Sequence, residues 1–278
     1  MDFQNIIIEI SKKDPEVFER LDGRRESIRN FTRFAGKVAI ASLPFALGGM
    51  FKKAYGGTND IITDTLNFAL TLEYLEAEFY QKALAASGLI PSGAPQGAIQ
   101  TIGAHETAHV NFLKTAITAA GGSPVAKPTF DFTAGNGSGN GPFKDVFTNY
   151  QTFLAVAQAF EDTGVRAYKG QAGNLMSNND VLTAALNIHS VEARHASHIR
   201  QMRRAQGAAV KPWITGADTG GIGAAVQPVY AGEDNTKQAT IEIKNINGLD
   251  ISADDATEAF DEPLSKDQVL AIVDPFIV

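Results

Sequence analysis

The chain has 278 residues, 44% of them hydrophobic, enough to enclose one large core or a helical bundle with additions. A formal net charge of −7 argues against general nucleic-acid binding. The absence of cysteine excludes disulfides, thiolate ligands and cysteine nucleophiles, and fits an exported or a cytoplasmic protein equally well.

Charge divides the chain into three regions: residues 1–57 carry a net +3, 58–210 a net −2 and 211–278 a net −8. In the first, Asp14-Pro15-Glu16 reads as a helix start. Arg25, Arg29, Arg33 and Lys37 then repeat every four residues, with Ile28, Phe31, Phe34, Val38, Ala41 and Phe45 along the other side. Arg24-Arg25 ahead of the apolar run 38–51 resembles a twin-arginine export signal, which would place the protein in a bacterial periplasm or cell envelope. Three features favour a second reading. A long region precedes the arginines, Lys52-Lys53 stands where a small-x-small cleavage site belongs, and the run is short for a membrane span. In that reading residues 24–51 form an amphipathic helix that packs on the bundle or lies on a membrane surface, in a cytoplasmic protein.

The spacing predicts a first bundle helix over 58–87, capped by Thr58-Asn59-Asp60. Leu66, Ala69, Leu70, Glu73, Ala77, Tyr80 and Leu84 share one face of it. A carboxylate among such positions is costly unless paired or bound to a metal. Ser87–Pro95 turns the chain into a second helix, 96–120, with His105, Glu106 and His109. The loop 121–143 is long for a compact domain and suits a crossover that lets the next helix run parallel to the second. That third helix, about 143–170, lines its inner side with Phe153, Val156, Ala157, Phe160, Glu161, Gly164 and Tyr168. The fourth, capped by Asp180 and ending near Gly207, carries Glu192 and His195. The cations Arg200, Arg203, Arg204 and Lys211 at its end suit the helix dipole. Beyond it, Ala239–Ile246 alternates like a strand, and Val269–Val273 with Phe276–Val278 is apolar enough to require burial against the bundle or a neighbouring subunit. Residues 211–278 are thus read as an extension wrapping the bundle or a neighbour.

The four helices form two copies of one unit. Glu73 precedes Tyr80 by seven residues, as Glu161 precedes Tyr168. Glu106-x-x-His109 recurs 86 residues later as Glu192-x-x-His195. Glutamate and histidine three apart share a helix face. Two such pairs, each preceded by a helix with an inward carboxylate, are the ligand set of a dinuclear metal site in a four-helix bundle. The same register aligns Glu76 with Gly164 and Glu78 with Arg166. Glu73 is therefore the predicted ligand, Glu76 an additional candidate and Glu78 a surface group. His198, three beyond His195, is the other additional candidate, whereas His105 and His189 read as supporting or surface groups. Tyr80 and Tyr168 read as core tyrosines hydrogen-bonded near the site, with a redox role as the alternative.

The motifs Leu66–Tyr80, Glu106-Thr-Ala-His109, Glu161 and Glu192-Ala-Arg-His195 resemble the ferritin-like superfamily of di-metal carboxylate proteins over residues 58–210. Pro212-Trp213 and Tyr230–Asn235 are similar to its bacterial, desiccation-related branch. The resemblance implies an all-α four-helix bundle with a long crossover. It carries the metal ligands over to Glu73, Glu106, His109, Glu161, Glu192 and His195. It implies two divalent ions, iron or manganese, with zinc also able to bind. The expected function is handling of dioxygen or peroxide in stress protection, as a ferroxidase-, peroxidase- or catalase-like oxidoreductase. The alternative is a structural or interaction protein with a vestigial site, assembling through its two extensions. A homo-oligomer is expected in either case.

Overall fold

The computed structural model describes residues 60–278. The export-signal-like or anchor segment lies outside them. Helix α1 spans Asp60–Ala85, α2 Ala94–Ala119, α3 Tyr150–Gln171 and α4 Asn179–Ala205. A 3-10 turn over Ala172–Leu175 joins the last two. The sequence accounts for most of these limits. Gly121, at φ +82°, takes the chain out of α2 in a conformation that glycine adopts freely. Asn149 caps α3 by accepting from the Gln151 and Thr152 backbone N–H groups. This starts α3 seven residues later than the pattern from Phe143 predicts, and 143–149 form turns instead. Asn178, not Asp180, caps α4; Asp180 sits in the first turn, where a carboxylate suits the dipole.

α1 packs along α2, and α3 along α4, as two antiparallel hairpins. Residues 65–72, 112–116, 167–171 and 181–188 meet at one end of the bundle. At the other, Phe79 stacks on Phe153 with ring centroids 5.1 Å apart. The C-terminal ends of α2 and α3 therefore coincide, so the two helices run parallel across the long crossover. The fold is an all-α helical bundle.

The remainder adds short elements: a 3-10 turn at Ala224–Tyr230, strands β1 (Lys237–Gln238) and β2 (Ile241–Glu242), then helices α5 (Ala253–Glu258) and α6 (Lys266–Val273). The expected strand over 239–246 is instead a small antiparallel hairpin, because Ala239 and Thr240 turn the chain with positive φ. The apolar segment 269–276 is buried through Val269, Val273 and Phe276, while Val278 is exposed. Asp131 donates its backbone N–H to the Phe276 carbonyl, and Val278 donates to Thr129. Among the described residues no helix is long and apolar enough to cross a membrane.

Candidate metal centre

Each bundle helix sends one or two acidic or imidazole groups to the middle of the bundle. Glu73 comes from α1, Glu106 and His109 from α2, Glu161 from α3, and Glu192 and His195 from α4, and all are buried. Their ligand atoms fall into two overlapping groups, each with atoms within 4.8 Å of one another: Glu73, Glu106, His109 and Glu192, and Glu106, Glu161, Glu192 and His195. Glu106 and Glu192 belong to both. Glu106 turns Oε2 toward His109 Nδ1 at 3.0 Å and Oε1 toward His195 Nδ1 at 2.8 Å. Glu192 Oε1 lies 3.0 Å from His109 Nδ1. Glu106 and Glu192 would thus serve two metal positions, with Glu73 and His109 completing one half and Glu161 and His195 the other.

The tyrosines bond crosswise. Tyr80 donates to Glu161 Oε1, and Tyr168 to Glu73 Oε1, each at 2.5 Å. Each tyrosine thus serves the glutamate of the opposite hairpin rather than the one two turns before it. Burial, then the adjacent carboxylate charge, push both phenols well above their ordinary range, so they stay donors. Gly103 makes this possible, since a Cβ there would stand 3.1 Å from Tyr80 Cβ.

The centre concentrates carboxylates in a buried site. Burial, reinforced by neighbouring carboxylates, holds Glu76 and Glu192 well above the usual carboxylate range. Burial likewise lifts Glu106 to about 7, against the pull of the two neighbouring histidines. Burial opposes charge on His195, but Glu161 and Glu106 raise it to about 11. Burial opposes charge on His109 too, yet Glu73 and its neighbours raise it far above its ordinary value. In Glu73 burial would raise the pKa, but His109 holds it below the ordinary value.

Several atoms remain without a hydrogen-bond partner: Glu106 Oε1, Glu161 Oε2, both oxygens of Glu192, and His195 Nδ1. His195 Nδ1 and Glu106 Oε1 are close, but side by side rather than aligned as donor and acceptor. Buried polar atoms are rarely left so. Two divalent cations fit this donor set, since they would take the orphaned atoms as ligands and offset the carboxylate charge.

Glu76 is buried beside the six, yet it belongs to neither group. A Cβ on Gly164 would stand 3.4 Å from Glu76 Oε1 and 3.3 Å from Glu192 Oε2. The glycine therefore leaves the space into which Glu76 reaches. His198 does not join the centre: it is exposed, because two successive three-residue steps from Glu192 turn it about 120° away. His105, read as a supporting or surface group, holds His195 from behind, with His105 Nδ1 2.9 Å from His195 Nε2. Its i,i+4 relation to His109 was the available signal. His189 bonds the Val165 carbonyl instead. Glu78 pairs with Lys82 and Lys127 outside the site.

The family described as ferritin-like domain matches residues 61–205, more than half of the chain and the part that contains all six gathered residues. No curated protein matches the chain. With two helical hairpins and paired Glu-x-x-His motifs converging on one buried centre, the chain belongs to the ferritin-like domain family.

Proposed function

We propose that the chain binds two divalent ions, iron or manganese, and handles dioxygen or hydrogen peroxide in protection against oxidative or desiccation stress. The carrying observation is the set of orphaned buried atoms on Glu106, Glu161, Glu192 and His195. The ion pairs with His109 and His195 offset their cost only in part, and cations would supply the rest. Mixed carboxylate and imidazole ligands suit iron, manganese or zinc, and of these iron and manganese exchange electrons with a small oxidant when bound. The chain's own residues do the rest. Glu106 and Glu192 span both positions, His109 and His195 face one each, and the tyrosine hydroxyls fix Glu161 and Glu73 by one oxygen and leave the other directed inward. The resemblance of Pro212-Trp213 and Tyr230–Asn235 to the desiccation-related branch supports the stress assignment.

Elemental analysis tests the reading. Chain purified from iron- and manganese-supplemented cells is expected to carry about two metal ions. The Glu106→Ala, Glu192→Ala double variant is expected to carry almost none while keeping its helical circular dichroism. A folded wild-type chain that takes up neither metal would overturn the reading and favour a structural or interaction protein on this scaffold.

A further inference from the structure

A cavity lies at the end of the bundle where α1 and α4 begin. All four helices line it, among them through Leu72, Leu113, Tyr168, Ala185 and Ile188. Leu72 adjoins Glu73, Leu113 follows His109 by one turn, and Ile188 precedes Glu192 by one turn. Tyr168 belongs to both places, since it lines the cavity and donates to Glu73. About 20 Å³ is open to the centre of a water-sized sphere. That holds one small molecule and no organic substrate. The wall is almost wholly apolar. Of its polar side chains, Tyr168 is committed to Glu73, Gln171 accepts from Asn174, and Thr65 adds a hydroxyl. At the opposite end, near Tyr80, Phe79 packs against Phe153 and Phe160 with ring centroids 5.1 Å apart.

We propose that this cavity is a dioxygen-binding chamber that supplies the metal centre. The proposal rests on the reading given under Proposed function and narrows its substrate. Hydrogen peroxide has two O–H donors and would leave its hydrogen bonds to water behind on entering. Dioxygen makes none worth keeping, fits the volume, and partitions into apolar space as other small apolar guests do. The chamber therefore selects dioxygen over peroxide on the interior route, and Tyr168 is its boundary with the carboxylates.

The test begins with metal-free, full-length chain under dioxygen pressure, read by methyl relaxation in NMR. Dissolved dioxygen is paramagnetic, and it should relax the methyls of Leu72, Leu113 and Ile188 several-fold more than those of Val156 and Ile99. All five residues are buried, but the last two lie away from the cavity. Equal relaxation at all five overturns the chamber. Ala185→Leu, which fills the space, should abolish the excess. In the iron-loaded chain it should raise the dioxygen concentration for half-maximal oxidation several-fold and leave the response to added peroxide unchanged. An unchanged dioxygen dependence with the excess relaxation gone overturns the supply role. Should the larger side chain prevent folding, the wild-type relaxation measurement still decides whether the chamber exists. Failure of the metal reading appears separately, as a chain without metal whose cavity methyls still respond to dioxygen, and it removes the supply role with it.

Discussion

At the scale of single residues, the crossed tyrosines decide which carboxylate oxygens are free. With Oε1 of Glu161 and of Glu73 each held by a phenol, only Oε2 of each is left for the centre. Tyr80→Phe is therefore expected to weaken metal binding about 10- to 100-fold, the usual cost of losing a group that orients a ligand, in a chelator-competition titration. Gly103→Ala should produce a smaller loss of the same kind by displacing Tyr80, and an affinity equal to wild type would show that Tyr80 has room to move. Proton linkage gives a second expectation. Without metal, Glu76, Glu106, Glu192, His109 and His195 all bind protons more tightly folded than unfolded. Stability of the metal-free chain therefore falls as pH rises from about 5 upward. Metal must displace those protons, so its stabilisation grows over the same range. The gap in Tm between loaded and metal-free chain should widen from pH 5 to pH 8; a gap that narrows would contradict this account. Much of the centre is legible in the sequence, because duplication gives each ligand position a counterpart. His105 is where that logic stops: its counterpart is Val191, so symmetry leaves the histidine that backs His195 undecided between a supporting and a surface group.

At the scale of elements, α3 stands apart because it is buried on nearly every side. One face carries Glu161 and Tyr168. The other carries Gln158, Asp162 and Arg166, four residues apart and all buried, and it is covered by the C-terminal extension. Asp162 accepts from Arg200 at 2.6 and 3.2 Å and from the Tyr230 hydroxyl at 2.8 Å. Gln158 donates to Tyr230 and accepts from Arg203, which in turn donates to the Gly220 carbonyl. Arg166 pairs with Glu233 and donates to the carbonyls of Val229, Ala231 and Glu262. Arg200 and Arg203 are thus also buried partners of α3 and the extension, in addition to the place of Arg203 in the last turn, where a cation suits the helix dipole. Arg200→Ala would leave Asp162 with one neutral donor, Tyr230, in a dry site. It is expected to cost about 3–5 kcal/mol in urea unfolding, and a loss under 1 kcal/mol would mean that water reaches Asp162. The four-residue stripe on α3 is visible in the sequence. Its partners are not, because they sit in a segment without periodicity, several of them as backbone carbonyls that leave no mark on residue identity.

At the scale of the whole molecule, the extension divides into fastened and loose parts. Its anchors, Val226, Val229, Tyr230, Glu233, Leu264, Val269 and Val273, are buried, whereas Ile241 and Leu249 are exposed. Hydrogen exchange should follow this division, with amides near 229–233 and 264–277 protected toward the level of the bundle and those of 237–250 exchanging first. Uniform exchange along the extension would show that its anchors do not hold. Capping boxes at Ser252 with Asp255 and at Ser265 with Gln268 set the starts of α5 and α6, and both are readable as local patterns. The path between them is not, since it follows side chains on α3 rather than any repeat of its own. The bond from Asp131 to Phe276 and that from Val278 to Thr129 have a consequence in time. On the ribosome the crossover emerges well before the residues that stitch it down, at about 5–20 residues per second. Its final fastening must wait until residues 276–278 have emerged, so until then the nascent crossover is held to α1, by Asn67 at Val125 and by Glu78 at Lys127, and not yet by the C-terminal segment.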